Sequence, residues 1–224
     1  MKPGRQPEMS ARLGRTMSRA TARPPLPIRF RSFEDIRQRR RGPGLTAEDW
    51  AEAALWSLAD GVEALSVERL ARKLGVTKGG FYWHFKDRGE LLQAALARWE
   101  QLATEGVIAA LDALPTPRER LERLLALTFE PDPRGKIEVA VVAGASDPRI
   151  APVLARVSKR RIDYLVKLYK ALGLPGPEAR YQAVHAYSTY VGHLHLAISS
   201  PDALRTPRER AAYVKHLMRA LIPA

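Results

Sequence analysis

Ser66–Leu92 reads SVERLARKLGVTKGGFYWHFKDRGELL, and its spacing predicts two short helices meeting at a tight turn, followed by the start of a third. Val67, Leu70, Ala71 and Leu74 fall at i, i+3, i+4 and i+7, which makes one apolar helical face. Gly75 follows directly, where a left-handed C-terminal cap favours glycine, and Val76 plugs the turn. The Thr77 hydroxyl is placed to cap the next helix. Within that helix Gly79 and Gly80 each cost about 1 kcal/mol relative to Ala, which suits a backbone that something must approach closely. Phe81 and Phe85, four apart, share one face, and Lys78 and Tyr82 share its neighbour. His84 and Lys86 add polar tips. One side therefore packs on the preceding helix, while the other offers a cation, a phenol and an imidazole. These are the parts a helix needs in the DNA major groove: donors for phosphates and side chains that reach base edges.

The flanking segments follow the same grammar. Thr46 opens a first helix with Asp49 three residues on, as a capping box prefers. Trp50, Ala53, Ala54 and Leu58 mark its buried side, and Asp60-Gly61 ends it. Thr46 and Ser66 cap helices, and their hydroxyls are also candidates for phosphate contact. Asp87 caps a long fourth helix running towards Leu114, striped by Leu91, Leu92, Ala95, Trp99 and Leu102.

At these residues the chain resembles the tetracycline-repressor (TetR) family of transcriptional regulators. The shared elements are the Leu-Ala-x-x-Leu-Gly-Val run from Leu70, Thr77-Lys78-Gly79, the Phe-Tyr-Trp-His-Phe-Lys cluster from Phe81, and Asp87 before Leu91-Leu92. The likeness is dense from Leu45 to Arg98; Gly80 stands where the family often carries Ala. It implies an all-α chain of about nine helices. A three-helix DNA-binding domain would span 45–92, with its helix-turn-helix at 66–85, and a larger helical ligand-binding and dimerisation domain would span 93–224. Thr77, Tyr82, His84 and Lys86 would then position the second helix on phosphates, with Lys78, Gly79 and Trp83 nearest the bases or the backbone at the groove. The implied partners are a palindromic double-stranded operator, a second copy of the chain and a small-molecule effector that releases DNA. No cofactor is implied.

Charge sharpens this picture. The 224 residues carry a formal net charge of +13, which suits a polyanionic partner or a basic tail. Residues 1–45 hold twelve Lys/Arg against three Asp/Glu, whereas residues 46–91 hold six against eight. The DNA-facing candidate is thus not basic overall; its cations are local, at Arg69, Arg72, Lys73, Lys78, Lys86 and Arg88. Cysteine is absent, which excludes disulfides, thiolate zinc sites and cysteine catalysis. No apolar run approaches a membrane span or a signal peptide, so a cytoplasmic protein, on the nucleoid when bound, is expected.

Residues 1–44 are rich in Arg, Pro and Gly and are expected to be mostly disordered. Arg37, Arg39, Arg40 and Arg41 sit where a basic arm can enter a minor groove; a solvated tail is the competing reading. Ile28, Phe30, Phe33 and Ile36 hint that a short part docks on the fold.

Beyond residue 114 one device recurs. Thr116-Pro117-x-Glu119 and Thr206-Pro207-x-Glu209 combine an N-cap, proline at the first helical position and a capping acid, and Asp147-Pro148 does so without the acid. Helices are predicted near 117–129, 136–146, 148–172, 177–199 and 207–221, with Gly173 ending the third and 130–135 a loop. Val184, Tyr187, Val191 and Leu194 on one late helix, and Val214, Leu217, Met218 and Leu221 on the other, form stripes that either fill their own core or pair with a second copy. Trp99, Phe129, Tyr164, His185 and Tyr190 are candidates to line an effector pocket. His193 and His195, two apart, face different ways on a helix, so no metal site is expected. Lys159-Arg160-Arg161 reads as a solvated face. Neither a nucleophile elbow nor a phosphate-binding glycine loop occurs, so no enzyme is expected. The alternatives are a non-specific architectural DNA binder driven by the basic tail, and an enzyme in the C-terminal half.

Overall fold

The computed structural model describes residues 30–39, 44–129, 135–204 and 206–223. Every regular element among them is helical: α1 (Phe33–Arg39), α2 (Ala47–Leu58), α3 (Val67–Leu74), α4 (Gly79–Tyr82), α5 (Arg88–Glu100), α6 (Gly106–Asp112), α7 (Pro117–Phe129), α8 (Gly135–Ala143), α9 (Ala151–Ala171), α10 (Gly176–Ser199) and α11 (Pro207–Leu221). A π turn at Gln101–Glu105 joins α5 to α6, so the two form one rod. None of these helices is long and apolar enough to cross a membrane.

Local chemistry accounts for most boundaries. The Thr46 hydroxyl accepts the Asp49 N–H while the Asp49 carboxylate accepts the Thr46 N–H, a complete capping box. Ser66 and Asp87 cap α3 and α5, and Thr206 with Glu209 boxes α11. Gly75 ends α3 at φ 69°, the left-handed region expected of it. Two predicted starts move. The α4 helix begins one residue later than a Thr77 cap requires: Lys78 is its N-cap, without a side-chain cap bond. Its first turn is tight, with Gly80 N–H on the Thr77 carbonyl and Phe81 N–H on that of Lys78, which leaves Thr77 outside capping geometry. The α9 helix begins at Ala151 rather than 148, because the Asp147 carboxylate is taken by the Arg149 N–H at 2.8 Å and by its guanidinium.

The N-terminal segment contains an element that was not expected. Phe30 and Ile36 are buried, and α1 packs on α2 and α3. The hint of docking is met for Phe30 and Ile36, and residues 30–39 are the short docked part of a segment otherwise expected to be mostly disordered. Apolar anchors, a Ser32–Asp35 cap and Lys73 Nζ 5.0 Å over the Phe33 ring hold it. Ile28, Arg40 and Arg41 lie outside the described residues.

One apolar core runs from α1 through Trp50, Leu70, Phe81 and Trp99 into Ile137 and Val141 of α8 and Val153 and Val157 of α9. A second fills the far end with Leu111, Leu121, Leu168, Tyr169, Ala183 and Leu221. The first core does not stop at residue 92: α5 packs on α2 and on α9, and its Trp99 shares this core with Ile137 and Val141 of α8.

Candidate nucleic-acid interface

Helix α4 and its neighbours build one exposed face around two buried rings. Phe81 is fully buried and Phe85 nearly so, stacked at 5.6 Å, and Trp50 of α2 meets Phe81 edge-on at 5.6 Å. These rings fix the rotation of the four-residue helix, which has too few backbone bonds to hold itself. The opposite side faces solvent: Tyr82 is 63% exposed and Trp83 88%. Thr77, Lys78, Gly79, His84 and Lys86 are exposed around them. A solvent-facing indole of that extent is unusual for a residue type that is highly buried on average.

Each polar member has a definable state. Lys78 pairs with Glu68 of α3, and hydrogen bonding from Lys78 is the main reason the Glu68 carboxyl is held down to about 2. Both side chains are exposed, so the pair is weak and readily exchanged for a phosphate. His84 Nε2 lies 2.8 Å from the Leu45 carbonyl. With Nε2 as donor, the imidazole ties the segment after α4 to the entry of α2, next to Thr46. Lys86 donates its backbone N–H to Glu90 at 2.7 Å. A Cβ on Gly79 would meet only Thr77 Oγ1 at 3.7 Å, and one on Gly80 nothing within 4 Å. Nothing packed inside the chain demands glycine there; the approaching body would have to be external. A crevice of about 490 Å³ lies alongside, between Gly44, Leu45 and Trp50 on one side and Gly75, Val76, Thr77 and Gly80 on the other.

Thr46, Ser66, Thr77, Lys78, Tyr82, His84 and Lys86 thus come from the starts of α2 and α3 and from the α4 segment. Thr46 is exposed while Ser66 is half-buried and committed to its cap. The arrangement offers exposed hydroxyls, two ammonium groups and two aromatic tips.

The residues named for an effector pocket do not all converge. Trp99 and Tyr190 do, around Arg161, whose guanidinium lies 5.2 Å and 6.0 Å from their rings. Arg161 also pairs with Glu138 of α8, donates to Thr104 Oγ1 at 2.9 Å and to the Ala103 carbonyl at 3.3 Å, both in the π turn. Glu138 accepts the Trp99 indole N–H at 2.8 Å. Burial pushes the Tyr190 phenol well above its ordinary value. Tyr164 lies apart, bonded to Asp112 at 3.0 Å, and His185 is exposed on α10; the side chain of Phe129 lies outside the described residues. Lys159 and Arg160 are solvated as expected, but Arg161 is not: α9 turns it inward, one residue beyond the exposed pair. Neither Arg161 nor Glu138 carries a sequence signal, since each sits among ordinary helical charges.

The dimer stripes also divide. Leu217 and Leu221 are buried in their own chain's core, the own-core alternative for that part of the α11 stripe. Val214 and Met218 are half-buried there. On α10, Tyr187 is half-buried and bonds Ser158 at 2.9 Å, whereas Tyr181, Val184, Leu196 and Ile198 are exposed; Val191 and Leu194 are half-exposed.

Comparison with known proteins bears on these features. The signature of the bacterial regulatory proteins, tetR family, matches residues 52–95. The HTH-type transcriptional regulator SrpR of Pseudomonas putida is 35% identical over a stretch covering 28% of this chain and 36% of SrpR; the likeness spans about a third of that relative. Among solved structures, a transcriptional regulator from Rhodococcus sp. Rha1 is 22% identical, covering 79% of this chain and 95% of its own at a TM-score of 0.63. AibR in complex with isovaleryl coenzyme A and operator DNA is 21% identical, covering 79% and 98%, at a TM-score of 0.57. The structures establish the shared fold over both halves.

Proposed function

We propose that the chain, whose residues 52–95 match the signature of the bacterial regulatory proteins, tetR family, is a sequence-specific repressor that binds a palindromic operator as a homodimer and leaves it when a small molecule binds the C-terminal half. The observation that carries this reading is the α4 segment, with Phe81 and Phe85 anchored inside and Lys78, Tyr82, Trp83 and Lys86 turned out. Thr46, Thr77, Tyr82 and Lys86 contact phosphates, while Lys78, Gly79 and Trp83 read base edges or the backbone beside them. Two such segments about 34 Å apart are needed to read two half-sites; the exposed apolar face of α10 from Tyr181 to Ile198 supplies the contact between copies.

The effector acts around Trp99 and Tyr190, where Arg161, Glu138 and the π turn place buried polar groups beside the rod that leads to the DNA-binding half. In that rod a π turn is often a mark of function. A ligand releases DNA only by favouring a form whose α4 segments no longer match the operator. AibR was crystallised with both an acyl coenzyme A and operator DNA, which supports two separate sites on such a fold.

Selection of duplexes from random DNA tests the reading. One enriched palindrome is expected, and Lys86→Ala should flatten the dependence of log K on log salt by about one unit. Equal affinity for random DNA would instead favour a non-specific binder driven by the basic N-terminal segment.

A further inference from the structure

Glu52 sits on the inward side of α2 with 0% exposure. A buried carboxylate is unfavourable unless it is paired and hydrogen-bonded, and Glu52 is paired twice, from two distant parts of the chain. Arg31, just ahead of α1, donates Nε and Nη2 to it at 2.9 and 2.7 Å. Arg98, on α5, donates Nη2 to the same oxygen at 3.2 Å. The third Arg31 nitrogen, Nη1, pairs with Asp49, whose other oxygen accepts both the backbone N–H and the hydroxyl of Thr46 at 2.9 Å. Trp56 donates its indole N–H to the Arg31 carbonyl at 2.7 Å and fixes the backbone there. Arg98 is further held by Glu48 at 2.5 Å.

We propose that Arg31 is a positioning residue for operator binding, which couples the position of α5 to Thr46 at the DNA-facing start of α2. This rests on the operator reading above. Three carboxylates, Glu48, Asp49 and Glu52, share two guanidinium groups. If α5 carries Arg98 away, Glu52 is left to Arg31 alone, and the planar fork of Arg31 cannot satisfy Glu52 more fully and keep its hold on Asp49. Asp49 is the capping acid of α2, and its partner Thr46 follows Leu45, the residue that His84 holds from the α4 side. The change therefore reaches both the phosphate contact at Thr46 and the anchor of the recognition segment. The contacts form an unbroken chain from the connecting rod to the interface, and residues 30–39 become part of the DNA-reading head rather than an appendage.

Operator titrations on the intact protein test this, with Arg31→Ala, Arg98→Ala, the double variant, and each in a Glu52→Gln background. Arg31→Ala should weaken operator binding about five- to tenfold, at the lower end of typical coupling between sites. The Arg31 and Arg98 effects on Kd should be non-additive, and that non-additivity should vanish with Glu52→Gln. Should Glu52→Gln fail to fold, Arg31→Lys serves: it keeps the charge but cannot hold both carboxylates, and should lose nearly as much affinity as Arg31→Ala. A lowered melting temperature with Kd unchanged while the protein is fully folded would mean a structural role only, and the proposal fails. Additive effects on Kd also overturn it. If Lys86→Ala leaves Kd unchanged as well, the operator reading itself is at fault, so the two failures are distinguishable.

Discussion

The helix-turn-helix and the α8–α10 region carry charge in opposite ways. In the first, the charged and aromatic side chains point outward: Lys78 and Glu68 pair at the surface, and Tyr82 and Trp83 stand in solvent over buried phenylalanines. In the second, Arg161 and Glu138 pair inside, against Trp99 and Tyr190. The outward arrangement leaves its groups free to exchange partners with an incoming polyanion at little cost. The inward arrangement has no spare partner and holds one geometry until something displaces it. A reader of DNA needs the former, and a two-state sensor is better served by the latter.

The sharpest way to break this contrast is to remove one member of each pair. Glu138→Ala should destabilise the protein by roughly 3–5 kcal/mol, because it strands a buried guanidinium; chemical denaturation measures it, and a loss below about 1 kcal/mol would mean that water reaches Arg161 freely. Glu68→Gln, its counterpart at the surface, should change stability by less than about 1 kcal/mol yet strengthen DNA binding by a factor of about two to five, since it frees Lys78 and removes a repelling charge. Equal or weaker binding would take Lys78 off the contact surface. The smallest effect concerns pH. Burial holds the His193 imidazole below the ordinary value of 6.5, so the unfolded chain takes up a proton before the folded one does. Stability is then highest above about pH 6.5 and declines as pH falls below it. His193→Gln should flatten that slope, a difference of about 2 °C or less in melting temperature between pH 7 and 5.5; an unchanged slope assigns it to other groups.

The two regions differ as much in how far they could be read beforehand. In the helix-turn-helix each decisive contact lies within a few residues. Leu70 and Leu74 share a face by spacing, Gly75 must be left-handed, and Phe81 and Phe85 fall on one side. The caps at Thr46, Ser66, Asp87 and Thr206 are equally local, each an oxygen bonding an N–H three residues on. Three local readings nevertheless failed. Thr77 is not the cap of α4, which starts after Lys78. Asp147 has cap chemistry, but the adjacent Arg149 took its carboxylate. α1 shows no clear apolar period because four of its seven residues are charged, so Phe33 and Ile36 hint at docking without marking a helix.

Sequence by itself determined that the regular elements among the described residues are helices, where most of them begin and end, and that the α4 segment has one face for the core and one left to solvent. These follow from spacing and capping, which act within a turn or two. Only tertiary structure decided what covers each stripe. It turned Arg161 inward beside two solvated neighbours, placed Leu217 and Leu221 in their own core, and brought Arg31 and Arg98 onto Glu52 from positions 21 before and 46 after it. Periodicity states which residues share a face, but the neighbour that meets that face is chosen by the packing of the whole chain.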